Sequence, residues 1–287
     1  MREKYEIAFR RKVRVIWLEQ AMVLAAQNLS WKEAKPQLAT QVAAENPGTE
    51  TIRKVLEHIR RIWFEPPDGS LALRSDALRL FRDDDSPNIR LLFNWGMTIA
   101  AYPFVGSVGE ALGRLLKLQT KANRADIQRR LREQYGDRDF VNRITRYNIS
   151  SFLDWGVIAE AKKKAGIYIP SKQSRAKRPE HLAWLAEAVL ISRGESQLTI
   201  SQLRHHPILF PVVLETFNAS DLRRNARLRQ TRQGLNDDIV FIDTATQTVP
   251  AVDAGQHSRA DSGRHAAGTP RDGVSGWHQL TLERLEH

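Results

Sequence analysis

Arginines and lysines are the side chains with chemistry to offer here, and they are concentrated. Between Lys121 and Arg178 fifteen basic residues stand against six acidic ones, so +9 of the chain's formal charge of +11 lies in that span. Arg124, Arg129, Arg130 and Arg132 come first, then Asn142, Arg143, Arg146 and Tyr147, then the triplet Lys162, Lys163 and Lys164, and Lys172. A guanidinium is a planar fork that pairs with a phosphate or a guanine edge, whereas an ammonium group makes undirected phosphate contacts. Such a localised excess predicts a polyanionic partner, most simply double-stranded DNA. Asn142, Arg143 and Arg146 are the expected base-edge contacts, Tyr147 an intermediate one, and the lysine triplet the backbone grip.

Other chemistry finds little footing. The chain has no cysteine, hence no disulfide, thiol nucleophile or thiolate metal site. His205 and His206 are adjacent and would diverge on a helix, so they do not suit a shared metal. The run Asp83-Asp84-Asp85 scatters in the same way and reads as a solvated loop, and Asp237-Asp238 as turn residues. No phosphate-binding loop, Gly-x-Ser-x-Gly elbow or His-Glu-x-x-His helix is present. The expectation is a protein without enzymatic activity, cofactor or metal. Tyr135, Phe140, Tyr147 and Trp155 interleave with basic residues as in single-strand binders, but helical spacing assigns Phe140 and Trp155 to a core.

The elements that must position the basic residues read as a winged helix-turn-helix over residues 120–170. A helix near Ser107 to Leu118 precedes it. Asn123 caps a helix from Arg124 to Tyr135 with Ile127 and Leu131 inward, and Gly136 ends it. Asp137 caps the next, Arg138 to Asp154, with Val141, Ile144, Phe152 and Trp155 inward and Gly156 as its stop. Two strand-like runs, Val157–Ala159 and Ile167–Ile169, flank the segment that holds the lysine triplet. Three helices, a strand, a basic turn and a strand make the order of that motif.

Around it the chain reads as mainly α. Residues 1–69 carry three helices: Tyr5 to Gln27, a second opened by the capping box Ser30-x-x-Glu33, and a third from Thr49 or Thr51 to about Phe64. This unit is either a plain bundle or a helix-turn-helix with Arg53, Lys54, Arg60 and Arg61 as a second DNA-binding face. Residues 70–119 are a connector and core helices, and 171–179 a basic linker. Residues 180–243 read as a smaller α+β domain, possibly a second winged unit, in which Arg227–Gln233 and Ile239–Asp243 pair as strands. Leu198 to Leu214 should form a short helix, a break and a second helix. The tail, 244–287, has too few apolar residues to order itself.

The nineteen residues from Leu91 to Gly109 carry no charge, but Pro103 and several polar residues interrupt them. A buried helix ending near Tyr102 is the expectation, with no membrane contact. Met1 to Arg14 is charged and lacks the apolar stretch of a signal peptide, so the expected location is cytoplasmic.

Asn88 to Pro170 also resembles a known family. Trp95-Gly96, Tyr102-Pro103, the run Phe152-Leu153-Asp154-Trp155-Gly156-Val157-Ile158 and Tyr168 carry the likeness, and Ile62-Trp63-Phe64-Glu65-Pro66-Pro67 adds to it. They resemble the BrxA family, small helical DNA-binding components of bacterial BREX phage-defence systems. The likeness covers about residues 1–178, and the region after Pro179 departs from it. It implies DNA binding, no activity of its own and work beside other defence-system proteins. A winged-helix transcription regulator and a protein–protein adaptor are the alternatives.

Overall fold

Capping side chains at Ser30, Asn123 and Thr199 open three of the α-helices. A computed structural model describes residues 8–45, 47–136, 139–162, 165–171, 173–176, 178–194, 197–214, 218–233 and 237–243. Six helices come first: α1 (Val15–Ala26), α2 (Trp31–Ala43), α3 (Thr49–Ile59), α4 (Leu71–Asp83), α5 (Pro87–Ala101) and α6 (Pro103–Gln119). Next are β1 (Ala122–Asn123), α7 (Arg124–Tyr135), α8 (Asp139–Asp154), β2 (Ile158–Glu160), β3 (Ile167–Pro170) and β4 (Ser174–Ala176). The chain continues through α9 (Pro179–Arg193), β5 (Gln197–Thr199), α10 (Ile200–Arg204), β6 (Val212–Leu214), β7 (Leu228–Gln233) and β8 (Asp237–Ile242). The expected cap at Asp137, Lys163, Lys164, Lys172, the turn at 234–236 and the tail from 244 lie outside the described residues.

The fold is mainly helical with a few small sheets. Ser30 and Glu33 form their capping box, with Ser30 N donating to Glu33 Oε2 at 2.8 Å. Asn123 Oδ1 accepts from Ala125 N at 3.0 Å to start α7. Pro103 divides the uncharged stretch: α5 ends at Ala101, α6 begins at Pro103, and the two meet at 117°. Proline has no N–H to continue the first helix but suits the first turn of the second. Among the described residues no single helix is long and apolar enough to cross a membrane.

Four expectations change. The first helix begins at Val15, not Tyr5, and the described residues before it run non-helically as a strap. The third helix ends its α-helical part at Ile59 and reaches Phe64 through a π-helical turn, Arg60–Phe64. The basic linker is partly a strand, because β4 pairs in parallel with β6. Ser174 and Ala176 are small enough to be buried there, and Ser174 Oγ donates to Asn88 O at 2.5 Å. In consequence Leu198–Leu214 holds one short helix, a 3-10 turn (Pro207–Leu209) and a strand, with no second α-helix.

The described residues belong to one compact unit, and one hydrophobic cluster runs through the segments on both sides of the linker. Helix α9 enters that cluster through Trp184, whose Nε1 donates to Leu73 O at 2.8 Å and whose ring leaves no room for a Cβ on Gly96. An ion-pair network closes the C-terminal part onto the helices. Arg227 reaches Glu187 of α9 at 2.7 Å and Asp76 of α4 at 2.6 Å, and Asn225 Nδ2 donates to Glu187 Oε2 at 2.6 Å. Burial disfavours the Arg227 charge, but Glu187 and then Asp76 outweigh it and hold its pKa above the usual arginine value.

Glycine at 113 is required by a close approach: a Cβ there would lie 2.0 Å from the carbonyl oxygen of Pro207. Gly113→Ala should therefore lower stability by about 1–3 kcal/mol, the range for overpacking a core. Urea unfolding of the full chain checks this, and an unchanged midpoint would refute the close approach.

Candidate nucleic-acid interface

Residues 103–170 hold three helices and a small sheet. Helix α6 leads into β1, α7 and α8 follow, and β2 and β3 close a three-stranded sheet in the order β1-β3-β2. Both pairings are antiparallel, Ala122 opposite Tyr168 and Ala159 opposite Ile169. Ile127 and Leu131 of α7 and Val141, Ile144 and Phe152 of α8 are buried, as their spacing predicts. Gly136, at φ +90°, ends α7 in a region that disfavours side chains.

Charge compensation divides the predicted residues. Arg143 and Arg146 are exposed on α8, and among the described residues neither has a carboxylate partner. Arg129, in contrast, lies between Asp126 at 3.3 Å and Glu133 at 3.6 Å. Arg124 braces the β2–β3 hairpin: its Nε donates to the Tyr168 hydroxyl at 3.0 Å, and its backbone N–H to Gly166 O at 2.8 Å. Arg130 turns toward α6, where it lines a recess with Glu110, Arg114 and Arg193. Arg132, two residues on, is half-buried. Asn142 is half-buried with its Oδ1 enclosed, and Tyr147 is half-buried beside Arg11, whose guanidinium sits 5.7 Å from the ring centre. Lys162 is exposed in the hairpin segment.

The proposed second face is largely neutralised within itself. Arg53 pairs with Glu50 at 2.8 Å and with Glu57, and Arg60 with Glu65. Arg61 Nε donates to Ala101 O at 3.2 Å. Lys54 pairs with Glu50 at 2.9 Å but also faces α8 across a recess.

The strap, residues 8–14, is what the sequence reading missed. Its backbone is satisfied by side chains of α8 and the residue after it: Val13 N donates to Ser151 Oγ at 2.9 Å, and Trp155 Nε1 donates to Val13 O at 2.9 Å. Asp154 then accepts from Val15 N at 3.0 Å, Arg14 Nε at 2.9 Å and Lys12 Nζ at 3.0 Å. Burial pushes the Asp154 carboxyl up, but these donors prevail and hold it below the usual carboxylate value. At the other end Arg10 N donates to His58 Nε2 at 3.1 Å, so the neutral ring carries its proton on Nδ1, 2.9 Å from the Tyr102 hydroxyl. Phe9 packs on His58, Tyr102 and Trp155 with ring centres 5.1 to 6.2 Å away. Tethered this way, Arg10 and Arg11 lie beside α8.

The other predicted chemistry stays dispersed. Among the described residues no three His, Asp or Glu side chains form a metal-sized group. His205 and His206 have separate partners, Ser201 O for His205 Nδ1 and Ile208 N for His206 Nδ1. Trp155 is buried, so it is core and no stacking platform. No protein-family model, curated protein or solved structure matches the chain.

Two outcomes follow for the strap. Asp154→Ala should cost about 1.5–3 kcal/mol, the range for hydrogen bonds to a charged group, and should release amide protection at Val13 and Val15; hydrogen exchange reads this. His58 is pushed down from 6.5 to about 3, first by burial and then by Arg10, Lys54, Arg11 and Arg61. The unfolded chain therefore takes up a proton that the folded one refuses between those values. Stability is fully present above pH 6.5 and falls toward pH 3, by at most about 1.4 kcal/mol per pH unit from this group. Unfolding of His58→Gln should show a shallower slope in that window.

Proposed function

We propose that this chain is a non-enzymatic double-stranded DNA-binding protein, with residues 103–170 working as a winged helix-turn-helix and α8 as its reading helix. The observation that carries the reading is the pair Arg143 and Arg146, exposed and uncompensated among the described residues on the helix that follows α7, beside a sheet ordered β1-β3-β2. A helix presented this way fits the major groove with its N-terminal half toward base edges, and a hairpin beside it fits the flanking backbone. Arg143 is the first base-edge candidate and Arg146 the second. Asn142 takes a lesser place, because its oxygen is enclosed. The Lys162–Lys164 segment serves the phosphates.

The resemblance to the BrxA family supports a role in a bacterial anti-phage defence system of the BREX kind, working with other proteins of that system. Regulation of transcription would use the same interface. An adaptor role would call for an acidic protein surface opposite Arg143 and Arg146.

If about five phosphates are neutralised, log affinity should fall against log salt concentration with a slope near −4.5. Anisotropy titrations of a labelled duplex give this slope. Arg143→Glu/Arg146→Glu should weaken binding at least tenfold, and Lys162→Ala/Lys163→Ala/Lys164→Ala should flatten the slope. Wild-type affinity that ignores salt, or binding untouched in both variants, would favour the adaptor.

A further inference from the structure

Strap, α3 and α8 meet around a recess of about 450 Å³. Arg10 and Arg11 come from the strap, Lys54 from α3 and Arg143 from α8, while Phe140 and Tyr147 of α8 form apolar wall. These positions are distant in sequence, and folding alone brings the four cations together. The carboxylates tied to this group are Glu57, 3.6 Å from Arg10, and Glu50, 2.9 Å from Lys54. Both are also engaged by Arg53, so the recess keeps a positive excess.

Two of the cations are held in place by rings. The Arg11 guanidinium stands 5.7 Å from the centre of Tyr147, and that of Arg143 stands 5.5 Å from Phe140. Arg11 is fixed further by Thr51 Oγ1, which accepts from its Nε at 3.1 Å. Cations oriented on aromatic faces keep N–H groups for another acceptor. The same charges act on the buried His58: after burial, those of Arg10, Lys54 and Arg11 lead the causes that depress its basicity. Convergence of like charges is costly unless an anion joins them.

We infer that this recess is a phosphate subsite for the backbone of the same duplex that α8 reads, so that the N-terminal strap is part of the DNA-binding surface. The inference rests on the DNA-binding reading above. Arg143 belongs to both the exposed reading face and the recess, so a helix seated in the major groove carries the flanking backbone toward Arg10, Arg11 and Lys54. The subsite reads no sequence, because its ligands are charge and geometry alone. It also joins the two basic faces that the sequence keeps apart: Lys54 works with α8, while Arg53 and Arg60 remain in their local ion pairs.

The test uses the full chain and a labelled duplex in a potassium chloride titration. Arg10→Gln/Arg11→Gln/Lys54→Gln should reduce the salt slope by about 1–3, roughly one unit for each phosphate that is no longer neutralised, with the preference between two duplex sequences unchanged. Arg11→Lys, which keeps the charge, should keep the wild-type slope. A second measurement needs no variant for its first arm: neutral methylphosphonates are stepped through the backbone, and the one that meets the recess should weaken the wild type but add nothing to the triple substitution. A triple variant that melts like the wild type and binds with the same slope overturns the inference, as does strict additivity with every methylphosphonate. Those results leave the reading helix standing if Arg143→Glu/Arg146→Glu still weakens binding at least tenfold. A wild type that ignores salt sinks the DNA-binding reading itself, and the subsite with it.

Discussion

A buried stretch of non-helical backbone must find partners for its polar groups, and in this protein α8 and its flank supply them. Val13 donates to Ser151 and accepts from Trp155, and Asp154 closes the N-terminus of α1 at Val15. Leaving such groups unpaired costs about 1–3 kcal/mol each, so the strap and α8 stabilise one another. The same bonds settle where α1 can begin, since Val15 N–H is taken by a carboxylate from a helix far along the chain. They also fix the orientation of α8, because its inner turn is fastened to the N-terminal segment and its outer face is left to solvent.

Positive charge in the protein is of three kinds. Arg129, Arg53 and Arg60 sit in exposed pairs that contribute little to stability and hold those guanidinium groups near carboxylates. Arg124 is structural, tying the start of α7 to the hairpin. Arg143 and Arg146 stay exposed on one helix, and Arg10, Arg11 and Lys54 gather along its flank, with Arg10 also near Glu57 and Lys54 near Glu50. A count of basic residues overstates the surface offered to a polyanion, and the geometry restores part of it from an unexpected element.

Local signals predicted what is local. Asn123, the Ser30–Glu33 box and Gly136 mark helix ends through bonds spanning two or three residues or through backbone conformation, and Ile127, Leu131, Val141 and Ile144 mark inner faces through helical period. The strap was unreadable because Ile7, Val13, Ile16 and Trp17 have helical spacing while the groups that win its backbone, Ser151 and Asp154, lie about 140 residues away. The linker strand was hidden for a similar reason: Ser174 and Ala176 are poor strand formers whose pairing with Val212 and Leu214 is set by the packing of α5. Ion pairs such as Arg129 with Asp126 and Glu133 follow from i, i+3 and i, i+4 spacing and were open to reading in advance.

The C-terminal sheet shows how one strand order can serve different ends. Strands β5, β8 and β7 stand in that spatial order, both pairings antiparallel, and α9 leads toward β5 as α6 leads into β1. Where the central unit has α7 and α8, however, the corresponding stretch has the five-residue α10 and the 3-10 turns Pro207–Leu209 and Ala219–Arg224. Among the described residues no helix there is long enough to lie in a groove about 12 Å wide. Arg227 there is turned inward, held by Glu187 and Asp76. In the central unit Arg143 and Arg146 face solvent on α8, and in the C-terminal one Arg227 fastens sheet to helices. The C-terminal sheet is therefore fastened to α9 and α4 through Arg227, while α8 keeps Arg143 and Arg146 exposed.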